Sequence, residues 1–207
     1  MKLEVFFDCS SPWAYLGFEK IQPLAAEFAV DLVWRPVLVG GIFNAVNPTV
    51  YHTRENAPLK MAYTKKDLGD WSRLQGLSIL FPPSIFPINS AKVMRGCIVL
   101  EPEGKLVAIA RAAFHAYWTE DRNIADDAVL AELCRSIDVE PTCFLQRIAE
   151  PAAKEALRAN TAEAIARGAF GVPTFFLDGD DIYFGGDRLP TLRAAMIAKA
   201  AEQGTKL

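Results

Sequence analysis

Residues 8–17 read DCSSPWAYLG, between the apolar run Leu3–Phe7 and a stretch with helical spacing. A strand that runs through Ser-Ser-Pro into a helix presents its turn residues at a helix N-terminus. Roughly half a positive charge and several unpaired N–H groups favour an anion there. Pro12 suits the first helical position, with Ser10 or Ser11 as the cap. Beyond it Tyr15, Leu16, Phe18, Ile21, Leu24, Ala25 and Phe28 fall near helical spacing as far as Ala29, around an internal Pro23 that predicts a kink. Asp31–Pro36 (DLVWRP) is a second short strand pattern. The opening is therefore strand–helix–strand, which predicts a parallel pair with a right-handed crossover.

Further along, Val39–Ala57 holds Gly40, Gly41, Asn44, Asn47 and Pro48, and that loop chemistry predicts an irregular segment. Leu59–Gly76 reads as a helix, and the proline-rich Ser78–Ser90 as an extended, packed loop. Helical patterns then cover Ser90–Glu101, Gly104–Thr119, Asp126–Ile137, Pro141–Ala149 and Pro151–Arg167, with Gly168 as a C-cap. Thr174–Leu177 and Ile182–Phe184 flank the turn signal DGDD and predict a hairpin. An amphipathic helix over about Leu189–Glu202 follows, so the order is β-α-β, a helical block, then β-β-α.

The chain has 207 residues, 51% hydrophobic and 23% charged, with a formal net charge of −3 and no basic block. Nothing in that balance supports binding to nucleic acid or to an anionic membrane surface. No apolar run approaches the roughly 18 residues that span a bilayer. Glu4 and Asp8 interrupt the N-terminal run, which reads as a strand and not as a signal peptide. Cys9, Cys97, Cys134 and Cys143 form no C-x-x-C pair, and His52 and His115 complete no metal-ligand spacing. Free thiols in a reducing cytoplasm and no metal are the expectation. His115, in AAFHAYW, is read as a core or interface histidine.

The strings FFDCSSPWAYLGFE, WRPVLVGGIF, DLGDWSRLQGLSILFP, FGVPTFFLDGD and FGGDRL occur in one order along nearly the whole chain. Together they resemble the kappa-class glutathione transferases and the bacterial 2-hydroxychromene-2-carboxylate isomerases, the DsbA-like branch of the thioredoxin superfamily. The resemblance implies an α/β thioredoxin-like fold with a large helical insertion. Residues 1–40 with 169–207 would form the thioredoxin-like domain, and 41–168 the inserted helical domain. It also implies a homodimer with glutathione as cofactor and a small aromatic or hydrophobic substrate, acting in aromatic-compound catabolism.

In the dithiol relatives of that superfamily the first helix begins C-x-x-C; here the same frame reads Ser11-Pro12-Trp13-Ala14. Thiol–disulfide exchange needs both sulfurs, so disulfide oxidase chemistry is not expected. Cys9 lies off the helix terminus and reads as a small buried hydrophobe. Ser11 becomes the expected catalytic residue, its hydroxyl holding a thiolate that glutathione brings. By the same resemblance Pro12 and Trp13 flank that thiolate. Val172 offers its backbone to the cysteinyl part, and a cis Pro173 shapes the wall. Asp187 takes the α-amino group and Arg188 the carboxylate of the γ-glutamyl end, and Asp187 is also an N-cap candidate. Asn47, with Asn44 competing, and Lys60 complete the implied glutathione contacts. Phe81, Phe86, Trp71, Trp118 and Asn89 are candidates for the substrate pocket. The implied reaction is a cis–trans isomerisation by reversible thiol addition; the alternative is conjugation of an electrophile, as in the kappa-like transferases.

Overall fold

The structure, a computed structural model, describes residues 1–202, Arg54 by its backbone alone. Strand β1 (Lys2–Phe7) runs into helix α1 (Pro12–Glu27), which is unbroken through Pro23, and strand β2 (Asp31–Pro36) follows. Strands β3 (Thr174–Leu177) and β4 (Asp181–Phe184) come from the other end of the chain. The four form one sheet in the order β2-β1-β3-β4. The β1–β2 pair is parallel, from Lys2 opposite Asp31 to Phe7 opposite Pro36. β3 lies antiparallel to β1, from Leu3 opposite Leu177 to Phe6 opposite Thr174. Because β1 is central and covered on both faces, its residues from Leu3 to Phe7 are all buried, and all apolar save for Glu4. Leu3, Val5, Phe6 and Phe7 are all 0% exposed.

The helical block lies between β2 and β3: α2 (Val39–Val46), α3 (Thr49–Asn56), α4 (Pro58–Gln75), α5 (Ala91–Leu100), α6 (Leu106–Trp118), α7 (Asp127–Ser136), α8 (Pro141–Ala149) and α9 (Pro151–Ala166). Helix α10 (Leu189–Glu202) follows β4. This is the expected α/β thioredoxin-like arrangement with a helical insertion. One buried cluster runs from the sheet (Phe7, Phe175) through Phe18 of α1 to Cys97, Phe114 and Trp118 of the block. Tyr15 stacks on Phe114 with centroids 4.9 Å apart, and Phe18 meets Trp34 at 4.5 Å.

One expectation needs correction here, and one of two alternatives for His115 falls. The supposedly irregular Val39–Ala57 forms α2 and α3. Its glycines are tolerated because long-range partners hold the start of α2: Leu38 N–H donates to Thr161 Oγ1 at 3.0 Å, and Val39 N–H to Asp8 Oδ2 at 2.8 Å. His115 is not in the core. Its side chain is 54% exposed, with Nδ1 3.3 Å from Glu120, on the same face of α6 as exposed Arg111 four residues earlier. The loop between α4 and α5 is extended and packed, as read from its prolines. It is pinned to the end of α6 where Leu80 N–H donates to the Trp118 carbonyl (2.6 Å) and Tyr117 O–H to the Ile85 carbonyl (2.8 Å).

Candidate active site at the first helix N-terminus

The site begins in the turn between β1 and α1. Ser11 is the N-cap, in extended backbone (φ −108°, ψ 122°), and its Oγ accepts the Ala14 N–H at 3.2 Å. Pro12 follows at the first helical position, and no acidic side chain in the first turn neutralises the helix terminus. The Ser11 N–H donates to the Asp8 carbonyl at 3.1 Å, closing the turn. A hydroxyl that accepts from Ala14 still has its own proton to donate, so capping and ligand binding are compatible in one side chain. Cys9 points the other way. Its Sγ lies 3.9 Å from the Ala110 carbonyl in the core, and burial together with neighbouring Cys97 pushes its thiol well above the ordinary range. A neutral thiol without access to solvent is no nucleophile.

In front of this turn lies a cavity of about 330 Å³, within the range of small-molecule sites. Ser10, Ser11, Pro12 and Trp13 form one wall. Val39, Phe43 and Asn47, spaced four apart along one side of α2 and its C-cap, line the cavity as well. Gly171, Val172 and Phe184 supply a third wall from the sheet side. Thr53 of α3, with Lys60, Met61 and Thr64 of α4, and the rings of Phe81 and Phe86 complete the enclosure. Most of this lining is apolar, with hydroxyls, the Asn47 carboxamide and the Lys60 ammonium among the polar exceptions.

Six of the anticipated residues therefore meet at one cavity: Ser11, Pro12, Trp13, Asn47, Lys60 and Val172. Asn47, and not Asn44, is on the wall. Its Nδ2 donates to the Phe170 carbonyl at 3.2 Å and its Oδ1 accepts from Thr49 at 3.0 Å, tying the end of α2 to the approach to Val172. The Val172–Pro173 bond is cis, and Pro173 sits behind that wall. Its ring lies against α1 because Gly17 has no side chain: a Cβ there would stand 2.8 Å from Pro173 Cγ. Asp187 and Arg188 are not on the cavity wall. They lie in a 3-10 turn, Gly186–Arg188, with their charges 3.4 Å apart and both side chains exposed. Asp187 thus falls inside that turn, short of the capping position expected for α10, which starts at Leu189. Trp118 is core at 0% exposed, while Phe81 and Phe86 line the cavity and Trp71 and Asn89 do not.

Sequence reasoning did not single out Phe43, Met61 or Asp8. The i, i+4, i+8 spacing of Val39, Phe43 and Asn47 was a usable signal, masked by Gly40 and Gly41. Asp8 carries no such signal, because a carboxylate after a strand reads as a solvated turn; here it is 1% exposed. Among the described residues no group of His, Cys, Asp and Glu could hold a metal ion, and no helix is long and apolar enough to cross a membrane.

Known proteins place this geometry. The 2-hydroxychromene-2-carboxylate isomerase of Pseudomonas putida is 29% identical over 198 residues, 95% of this chain and 94% of its own length. Glutathione S-transferase kappa 2 of Caenorhabditis elegans is 28% identical over 210 residues, covering 91% of this chain and 88% of that protein. A solved structure of a 2-hydroxychromene-2-carboxylate isomerase superposes with a TM-score of 0.87 at 27% identity, over 99% of this chain and 98% of that one. Residues 2–196 match the DSBA-like thioredoxin domain, so the chain belongs to that family.

Proposed function

We propose that the protein is a cytoplasmic, glutathione-dependent isomerase of the 2-hydroxychromene-2-carboxylate type, in which Ser11 stabilises the glutathione thiolate. The observation that carries this reading is the Ser11 hydroxyl. It stands on the wall of a partly open, mostly apolar cavity, at a helix with no acidic side chain in its first turn, accepting from Ala14 and still able to donate. That donor set fits a thiolate: a hydroxyl proton plus the positive end of a helix favour the anion of a thiol that is otherwise mostly protonated near neutral pH. When bound, glutathione supplies a sulfur nucleophile for reversible addition to a conjugated double bond, the chemistry by which a cis alkene becomes trans.

The chain's own residues orient and exclude water. Trp13 and Val172 flank Ser11, Val172 offering main-chain groups to the cysteinyl part of the ligand. Lys60 supplies a cation for a ligand or substrate carboxylate. Phe43, Phe81 and Phe86 give an aromatic substrate apolar surface, so that orientation lowers the barrier. Asp187 and Arg188 serve the γ-glutamyl end from outside the cavity proper. Conjugation of an electrophile, as in a kappa-like transferase, is the second reading, favoured by the similarity to kappa-class proteins.

The test is incubation with 2-hydroxychromene-2-carboxylate and glutathione, followed by product and thiol analysis. The isomerase reading expects the trans-alkene product with all glutathione recovered. Stoichiometric loss of glutathione to a conjugate would replace it with the transferase reading. Absence of glutathione binding would sink both.

A further inference from the structure

Asp8 is a charged group buried where the cavity walls meet. Its Oδ1 accepts both the Ser10 N–H and the Ser10 hydroxyl at 2.9 Å, and its Oδ2 accepts the Val39 N–H at 2.8 Å. The first pair closes an Asx turn that sets the course of the chain into Ser11. The second is the first N–H of α2, a helix whose own N-cap, Leu38, has no side-chain oxygen to offer. One carboxylate therefore shapes the turn at the start of α1 and caps α2 from a distance, and the positive end of α2 favours its charge. The two elements it joins carry adjoining parts of the cavity lining: Ser10 and Ser11 from the turn, Val39, Phe43 and Asn47 from α2 and its C-cap.

We propose that Asp8 is a positioning residue, holding the Ser11 turn and α2 at the separation the cavity requires. Burial pushes its carboxyl above the ordinary range, and the hydrogen bonds from Ser10, Val39 and Ser90 only partly offset this. The ionised group is a cost to folding, and what it secures in return is the alignment of two walls.

Two substitutions break the link differently. Asp8→Asn keeps an acceptor for Ser10 but turns an amide N–H₂ toward the Val39 N–H. Val39→Pro deletes that N–H, exchanging one apolar lining side chain for another and leaving Asp8 and the Ser10 turn untouched: proline is tolerated at the first helical position, and Leu38 (φ −104°, ψ 108°) already has the backbone of a residue before proline. If Asp8→Asn does not fold, Val39→Pro still tests the link. The first readout is amide hydrogen exchange. Residues 40–46 are expected to exchange about 10- to 100-fold faster in either variant, with β1 and β2 unchanged. The second is glutathione titration. Affinity is expected to fall about 10-fold in Asp8→Asn, and Asp8→Asn/Ser11→Ala is expected to match Ser11→Ala within about twofold.

Unchanged exchange in α2, or additive losses in the double variant, would overturn the proposal. The titration rests on the proposed glutathione function and the exchange does not. A wild-type protein that fails to bind glutathione therefore removes that function while leaving the link to be judged by exchange.

Discussion

The Ser11 hydroxyl and the Ala14 amide are joined by a 3.2 Å hydrogen bond that uses only the oxygen of the serine. Acceptor and donor roles of one side chain can therefore be separated by substitution. Ser11→Gly is expected to lower stability by only a few tenths of a kcal/mol, since glycine is a fair N-cap. Turnover with glutathione is expected to fall about 100-fold or more, because the donor is gone. Thermal melts and steady-state rates on the same preparation check this. A large loss of stability with activity retained would count against the assignment.

Gly17→Ala tests the seat of Pro173. The new methyl would stand 2.8 Å from Pro173 Cγ and 3.3 Å from Cβ, distances that force α1 and the Val172 wall apart. Overpacking of this kind costs about 1–3 kcal/mol. Glutathione affinity should weaken alongside the melting temperature, and chemical denaturation with a parallel binding titration measures both.

The pH dependence of stability should carry the signature of Glu4. This carboxylate, 6% exposed, accepts from Arg35 Nε (3.2 Å) and Nη2 (3.1 Å), with Arg167 Nη1 at 3.1 Å and Lys2 Nζ at 3.3 Å. Burial alone would raise its carboxyl, but the cations around it outweigh burial and hold it below its usual 4.5. An acid depressed in the folded state stabilises above its unfolded value and loses that contribution as pH falls through the folded value. Glu4→Gln should cost about 2 kcal/mol at pH 7. The gap to wild type should close as the pH drops below 4.5. Melting curves from pH 7 to pH 3 decide it; a constant gap would exclude the ion-pair account.

Redox assays should be silent. Ser11 and Ala14 stand in the frame where a dithiol would be, and Cys9, the nearest thiol, is 0% exposed with its ionisation suppressed. The purified protein is expected to leave insulin disulfides intact in the presence of dithiothreitol beyond the uncatalysed rate. Cys9→Ala should leave glutathione-dependent turnover in place. Catalysed insulin reduction would show that a thiol was overlooked.

Much of this was legible because the signals are local. The apolar run Leu3–Phe7, the Ser-Pro start of α1 and the DGDD turn between β3 and β4 need no distant partner to be recognised. α2 was missed because its support is remote. Leu38 and Val39 are held by Thr161 and Asp8, 123 and 31 residues away, and no window around Gly40-Gly41 contains either. The core alternative for His115 fails because AAFHAYW is apolar on average, whereas burial follows the helix face. Of the site, the place of Ser11 in the turn announced only an N-cap, its proposed role toward a thiol coming from the resemblance, while the Asp187–Arg188 position relative to the cavity depended on a 3-10 turn that composition does not announce.

The sheet order has a consequence for how such a site can diversify. Ser11 and Val172 are brought together by β1 pairing with β3, a contact between residues 3–6 and 174–177. Lys60, Met61, Phe81 and Phe86, which close the cavity from the far side, all belong to the stretch between those strands. On the proposed function, the residues that would meet the thiol and those that would meet an aromatic substrate therefore lie in different parts of the chain. Chain length between paired strands costs little, since closure entropy grows only slowly with loop length. Substitutions or length changes from α3 to the loop before α5 can thus reshape which molecule is admitted while the turn that carries Ser11 keeps its geometry, and on the proposed function a change of substrate need not begin with a change of chemistry.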